Sequence, residues 1–360
     1  MSYTQHNRSK FYDIEPAHIG SSQCERLTSY LCRLSEAHCV TRRNLIDYGI
    51  VPLLSKSPNE DYEKKRGIGF YKWTQIDGRG TIASGFVNAV EQVTLREDIR
   101  FTTLIGLQGV LPDKGLLRSN RAWCPLCLED ERYRCEPVTE ALLWALNLVK
   151  LCPVHDVPLE EYCPQCKKSS SVCNQKRNGF CPYCNAWLGA STSRTMKFDD
   201  IDYYISQELG ELISAMPNSR LMINRESLYR SIKAIAEKLT QGKVKTLARL
   251  LQVPPITLRG WYKGEHIPEL AYTLEICRKC HLSINDFFAG NVHDITIENH
   301  CRYIKPRNQR CKINWCKIGR MIQTGVTSNR GSVKEVASIL GVDRRALIRK
   351  FPEMSKISSK

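Results

Sequence analysis

Apolar positions divide the chain into helical stretches and cysteine-punctuated ones. In "CERLTSYLCRLSEAHCV" Leu27, Tyr30, Leu31 and Leu34 recur at three- and four-residue intervals, which predicts an amphipathic helix within Cys24–Val40. Thr28 and Ser29 are its capping candidates. "SGFVNAVEQVT" and "RFTTLIGLQGVL" predict shorter helices, the second stopped by Pro112. "EALLWALNLVKLC" predicts a strongly apolar helix over 139–151, its face made by Leu142, Leu143, Leu146 and Val149 or Leu151. "IDYYISQELGELISAM" and "RESLYRSIKAIAEKLTQG" predict two more helices. The polar stretches "LLSKSPNEDYEKKRG" and "GASTSRTMKFDD" read as an exposed segment and a boundary.

Two later stretches have a tighter pattern. "TLARLLQVPPITLRGWYKGEHIP" (Thr246–Pro268) fits a helix-turn-helix: Ala248 is small where two helices cross, and Leu251, Val253, Leu258 and Trp261 supply apolar contacts. Gln252 stands where a turn glycine is usual. Thr257, Arg259 and Lys263 then fall on exposed positions of the second helix. "VKEVASILGVDRRALIRKF" (Val333–Phe351) fits the same pattern, with Ala337, Leu340, Gly341, Val342, Leu347 and Phe351 at core and turn positions and Asp343 as a cap. Arg344, Arg345, Arg349 and Lys350 project from its second helix, where a recognition helix meets a major groove and phosphates. The resulting fold class is mainly α and multidomain, with an N-terminal helical region carrying two zinc modules and then helix-turn-helix units. The expected boundaries are 1–195, a helical connector 196–243, a helix-turn-helix domain 244–292, and a basic segment 293–360 with the second unit.

Charge sharpens the picture. The net charge is +16, and Arg220 to the end holds 27 Lys+Arg against 11 Asp+Glu, so the first 219 residues sum to zero. The last sixty residues carry 15 basic against 3 acidic side chains. A basic end beside helix-turn-helix patterns points to DNA as partner; the plainer reading is a solvated surface. No apolar run is long enough to span a bilayer, and "MSYTQHNRSKFYD" has no signal-peptide core, so a cytoplasmic location without a membrane is expected.

Seventeen cysteines in a reducing compartment point to metal rather than disulfides. Four short pairs stand out: Cys124/Cys127, Cys152/His155, Cys163/Cys166 and Cys181/Cys184, each with proline after the first cysteine. Proline fixes φ and stiffens such a knuckle. A tetrahedral zinc needs two knuckles. The middle pairs could share one ion, leaving the outer pairs to close across more than fifty residues. Sequential pairing is simpler: Cys124, Cys127, Cys152 and His155 form one site, and Cys163, Cys166, Cys181 and Cys184 another, giving two Zn2+ per chain. Four ligands and no open position read as structural. Cys24, Cys32, Cys39, Cys135 and Cys173 read as small buried hydrophobes, and Cys277/Cys280 as packing or surface residues at helical spacing.

No catalytic residue is assigned. The chain has no Walker motif, no Gly-x-Ser-x-Gly and no defensible triad of metal-binding carboxylates, and His6, His18, His266 and His293 stand alone.

The segments "ERLTSYLCRLSEAHCV", "RAWCPLCLEDE", "EALLWALNLVKLCPVHDVPLEEYCPQC" and "GFCPYCNAWLG" together resemble the TniQ family, which includes the transposon target selector TnsD, over roughly residues 16–190. The resemblance implies a non-catalytic adaptor of DNA transposition. Such proteins mark the target and recruit a TnsC-like AAA+ ATPase regulator, which brings the transposase. Some bind DNA themselves, and others ride on a CRISPR effector with its guide RNA. The eight-ligand pattern carries over residue by residue; no regulator-binding motif does, and the N-terminal region is the surface expected to meet the regulator. A homodimer stays open as a further partner. A zinc-containing helix-turn-helix transcription regulator is the reading from outside transposition.

Overall fold

A computed structural model describes residues 8–54, 73–189, 198–218, 223–293, 295 and 348–351. Residues 1–307 form one compact unit and 308–360 a second. Among the described residues the secondary structure is helical, with isolated antiparallel bridges in place of strands.

Helix α1 (Leu27–Ala37) follows the predicted period: Leu27, Tyr30, Leu31 and Leu34 are fully buried. Each buried leucine contributes about 2 kcal/mol. Its cap is not the predicted one. Arg26 is the N-cap residue and makes no side-chain cap. The Asp77 carboxylate does that work from outside the helix, accepting from the Thr28 N–H at 2.8 Å and the Thr28 hydroxyl at 2.7 Å. A carboxylate at a helix N-terminus meets both the free N–H groups and the positive dipole end. Helix α2 (Thr81–Thr94) packs Phe86, Val87 and Val90 into the same core with Ile46, Ile50 and Ile99.

Two predicted helices are absent. Arg100–Leu111 holds only single tight turns, Ile99–Thr102 and Ile105–Leu107. The Thr102 and Thr103 hydroxyls bond back to the Ile99 and Arg100 carbonyls, which competes with helix propagation. The run 139–151 is irregular, with short turns at Leu142–Ala145 and Asn147–Leu148 and single bridge residues at Ala141, Leu146 and Leu151. Ala141 to Leu146 are all buried, so no polar face exists to define a helix surface. The run threads the core, and its backbone bonds to other segments: Leu142 N–H to Cys24 O at 2.7 Å, Asn147 N–H to Leu116 O at 2.9 Å, and Arg118 N–H to Ala145 O at 2.9 Å.

Helix α3 (Pro125–Tyr133) begins at the first knuckle. Helices α4 (Asp200–Ala215), α5 (Arg225–Thr240), α6 (Val244–Leu251), α7 (Pro255–Lys263), α8 (Leu270–Lys279) and α9 (Ile284–Ala289) follow. One apolar cluster runs through the knuckles and these helices, from Cys24 and Trp123 to Phe287 and Phe288. Helix α4 is the joint: Ser206 donates to Leu151 O at 3.1 Å, and the Lys150 ammonium meets Asp202 at 2.7 Å. A side chain at Gly210 would come within 3.0 Å of Ser22, so glycine allows the close approach.

Candidate metal centres

Three of the four knuckles share one backbone design. In Cys152–Asp156, Cys163–Lys167 and Cys181–Asn185 the last residue is left-handed, with φ of 52°, 57° and 58°. That residue's N–H returns to the first cysteine carbonyl, at 2.9, 3.0 and 3.0 Å. The first cysteine's N–H bonds to the carbonyl five residues on, Val157, Lys168 and Ala186. Bridges Leu151 to Pro158, Tyr162 to Ser169 and Phe180 to Trp187 close each hairpin-like loop. The fourth knuckle differs. Cys124 is the N-cap of α3, and its Sγ accepts from the Cys127 N–H at 3.5 Å.

The knuckles meet in sequential order. Cys124, Cys127, Cys152 and His155 form one group and Cys163, Cys166, Cys181 and Cys184 the other, with ligand atoms within 4.8 Å of one another. In the first group Cys127 Sγ lies 3.5 Å from Cys152 Sγ and 3.3 Å from His155 Nδ1, and His155 Nδ1 lies 3.6 Å from Cys124 Sγ. In the second, Cys163 to Cys184 is 3.6 Å and Cys166 to Cys181 is 3.7 Å. Tetrahedral zinc with bonds of about 2.3 Å separates its sulfurs by about 3.7 Å. Both groups therefore fit one tetrahedral ion each, and either could hold a metal.

Electrostatics favours a cation. Hydrogen bonds from Cys124 and Cys127 bring the Cys152 thiol down to about 2, while bonding to Cys124 and Cys152 and then burial push Cys127 well up. In the second group burial opposes ionisation of Cys181. Backbone N–H groups of Cys184 and Tyr183 and the neighbouring thiols outweigh it and bring Cys181 down to about 7, whereas burial pushes Cys163 up to about 12. Cys127 and Cys163 thus resist ionisation where they stand, and a positive charge among the sulfurs would favour their thiolates.

Two residues around the first group escaped the sequence reading. Asp130 accepts from His155 Nε2 at 2.9 Å, leaving Nδ1 facing the sulfurs. A carboxylate on the outer ring nitrogen orients a ligating histidine. Its signal was present, since Asp130 follows Cys127 by three residues on α3, one turn along the same face. Gln23 Oε1 lies 3.4 Å from Cys127 Sγ, and its buried Nε2 has no hydrogen-bond partner among the described residues. Turning that amide over puts a donor on the sulfur, which suits a metal-bound thiolate.

A buried ionic cluster ties the two groups to α1. Glu140 accepts from both Arg26 and Arg121, all three at zero exposure. Arg121 also donates to Phe180 O at 2.8 Å, one residue before Cys181. Burial alone would raise the Glu140 carboxyl, but the Arg121 and Arg26 guanidiniums hold it below the usual range.

The bystander cysteines split. Cys24 and Cys32 are buried as expected, and Cys277 and Cys280 are packed in the core. Cys39 and Cys135 are exposed and Cys173 is half-buried, correcting the expectation. Cys39 and Cys135 occupy left-handed turn positions, φ 53° and 55°, which face outward.

Of the expected DNA contacts, Arg259 and Lys263 are exposed on α7 and Thr257 is half-buried at its first turn. Lys263 lies 3.6 Å from Glu265. A three-residue turn joins α6 to α7. Gln252 is left-handed there at φ 57°, the conformation that explains why glycine is usual. Arg349 and Lys350 are exposed, whereas Arg344, Arg345 and most of Val333–Phe351 lie outside the described residues.

A family model described as TniQ matches residues 16–159. It spans α1 to α3 and the whole first metal group, and stops before the second, short of the residue 190 to which the sequence resemblance extended. A comparison with curated proteins finds no match. Residues 16–159 are thus similar to the TniQ family over 144 of the 360 residues of the chain.

Proposed function

We propose that this protein is a non-catalytic target-selection adaptor of DNA transposition that binds target DNA through its C-terminal half. The match of residues 16–159 to the TniQ family model supports the transposition role. The observation that carries direct DNA binding is the charge distribution, with all of the +16 lying after residue 219. In this reading α6 and α7 act as a helix-turn-helix, with Thr257, Arg259, Lys263, Arg349 and Lys350 meeting DNA. Arg344 and Arg345 join the second unit on the sequence pattern alone. The two four-ligand groups hold Zn2+ as structural ions: thiolates and one imidazole in closed tetrahedra suit zinc and leave no position for chemistry. Recruitment of a TnsC-like AAA+ regulator and of transposase completes the role.

The test is sequencing of DNA selected from a random pool by the purified full chain. A defined motif with salt-sensitive affinity is expected. Failure to select any motif, together with co-purification of guide-RNA subunits, would replace direct recognition by the effector-coupled form of the same adaptor.

A further inference from the structure

Net charge taken over residues 1–219 conceals a local imbalance. From Tyr162 to Gly189 the chain has four cations, Lys167, Lys168, Lys176 and Arg177, and no Asp or Glu. All four are exposed, on the surface of the second metal group. The knuckle geometry aims two of them: the left-handed turn at Lys167 sets Lys167 and Lys168 at the outer rim. Two tyrosines interleave with the cations. Tyr183 is half exposed, its hydroxyl held by Asn174 at 3.1 Å and its ring covered by the Lys168 ammonium at 5.5 Å. Tyr162 is exposed beside Cys163.

This face forms one wall of a groove of about 1120 Å3 that includes Lys176, Arg177 and Tyr183. The opposite wall carries Arg42 and Arg43 with Glu36 and Asp47. Both acids are engaged, Glu36 with Arg177 at 3.6 Å and Asp47 with Arg43 at 3.3 Å. Arg42 locks the walls together by donating to Val172 O and Cys173 O at 2.9 and 2.8 Å. The plain alternative is that the four cations only neutralise the metal centre. Four thiolates around a dication leave a net charge of about −2, which four cations exceed. No carboxylate or sulfur pairs with Lys167 or Lys176 among the described residues.

We infer that the rim and groove of the second metal module form a nucleic-acid surface of their own, gripping the phosphate backbone, with Tyr183 and Tyr162 against sugar or base faces. It deepens the DNA-binding reading above by adding a non-specific clamp far along the chain from the helix-turn-helix units. Backbone contacts carry no sequence information. The clamp therefore adds affinity and salt dependence while leaving the selected motif alone.

The experiment measures duplex affinity of the full chain against salt for wild type and a Lys167→Gln, Lys168→Gln, Lys176→Gln variant. Removing three cations that each neutralise one phosphate lowers the log–log slope by about 2.7. The inference requires a drop of at least about one, an unchanged selected motif and an unchanged metal content. A smaller drop overturns it. So does an equal drop in a control variant neutralising Lys114, Lys150 and Arg134, since that would report bulk charge alone. Should the triple variant misfold, Arg43→Gln with Lys176→Gln crosses the groove and carries the same test, with a drop of about 1.8 expected. An unchanged slope with impaired binding to the ATPase regulator would reassign the surface to a protein. Absence of any duplex binding by wild type would sink the DNA reading itself, whereas a motif with an unchanged slope sinks only the clamp.

Discussion

The contact between Asp130 and His155 offers the sharpest test of the first metal centre. Replacing Asp130 by Asn keeps shape and size but removes the charge that faces Nε2 at 2.9 Å. Loss of such an outer partner weakens metal binding by about 10- to 100-fold. Asp130 is about half exposed (47%), and water screens part of its effect, so the lower end applies: about ten-fold, or about 1.4 kcal/mol. Its contact with Arg134 at 3.8 Å is an exposed pair and contributes little. The assay is competition with a chromophoric chelator, which resolves two ions per chain. Asp130→Asn should shift one of them by about ten-fold and leave the other unmoved. In a His155→Cys background the same substitution should change nothing, because no imidazole remains to orient. A shift in both ions, or in neither, or an effect that survives in the His155→Cys background, would refute the assignment of Asp130 to this ligand.

Elemental analysis should find about two zinc per chain, and Cys163→Ser should lower the melting temperature far more than Cys173→Ser, which removes only a half-buried thiol. Glu140→Gln should cost about 3–5 kcal/mol by chemical denaturation, because it leaves Arg121 buried without its counter-charge and Arg26 with only Asp77, at 4.0 Å. The sign with pH follows from the depressed Glu140 carboxyl. Its contribution is complete above the ordinary glutamate range and is lost as pH falls through and below that range, so wild type should lose more stability on acidification than Glu140→Gln. Ile256→Ser should leave stability unchanged, since the side chain is 83% exposed at the head of α7, but should weaken the selected DNA motif; an unaffected motif would count against α7 as a reading helix. Gln252→Gly should raise stability by about 0.5–1 kcal/mol in thermal melts by relieving a left-handed backbone, and a loss would show that the Gln252 side chain holds the turn.

What the order of amino acids determines by itself is mostly short-range. The eight candidate ligands could be picked out because a Cys-Pro-x-Cys or Cys-Pro-x-His turn is closed by its own backbone, whatever surrounds it. Helices α1, α2, α4 and α5 were legible because each has one apolar stripe and a polar remainder in its sequence, although in α1 the polar Thr28, Ser29 and Ser35 are buried as well. The run from Thr139 to Leu151 was misread because apolar spacing cannot distinguish a buried helix from a buried irregular segment. Tertiary structure decided it, by bringing Cys24 O and Leu116 O to its N–H groups. That threading also carries the chain from Cys127 to Cys152 and places Glu140 between Arg26 and Arg121, so the sequential pairing of knuckles rests on contacts far apart in sequence. Asp77 as a cap for α1 and the cationic rim of the second module arise in the same way. Spacing within a turn fixes which atoms can ligate, but only packing decides which turns meet and which charges are left facing water.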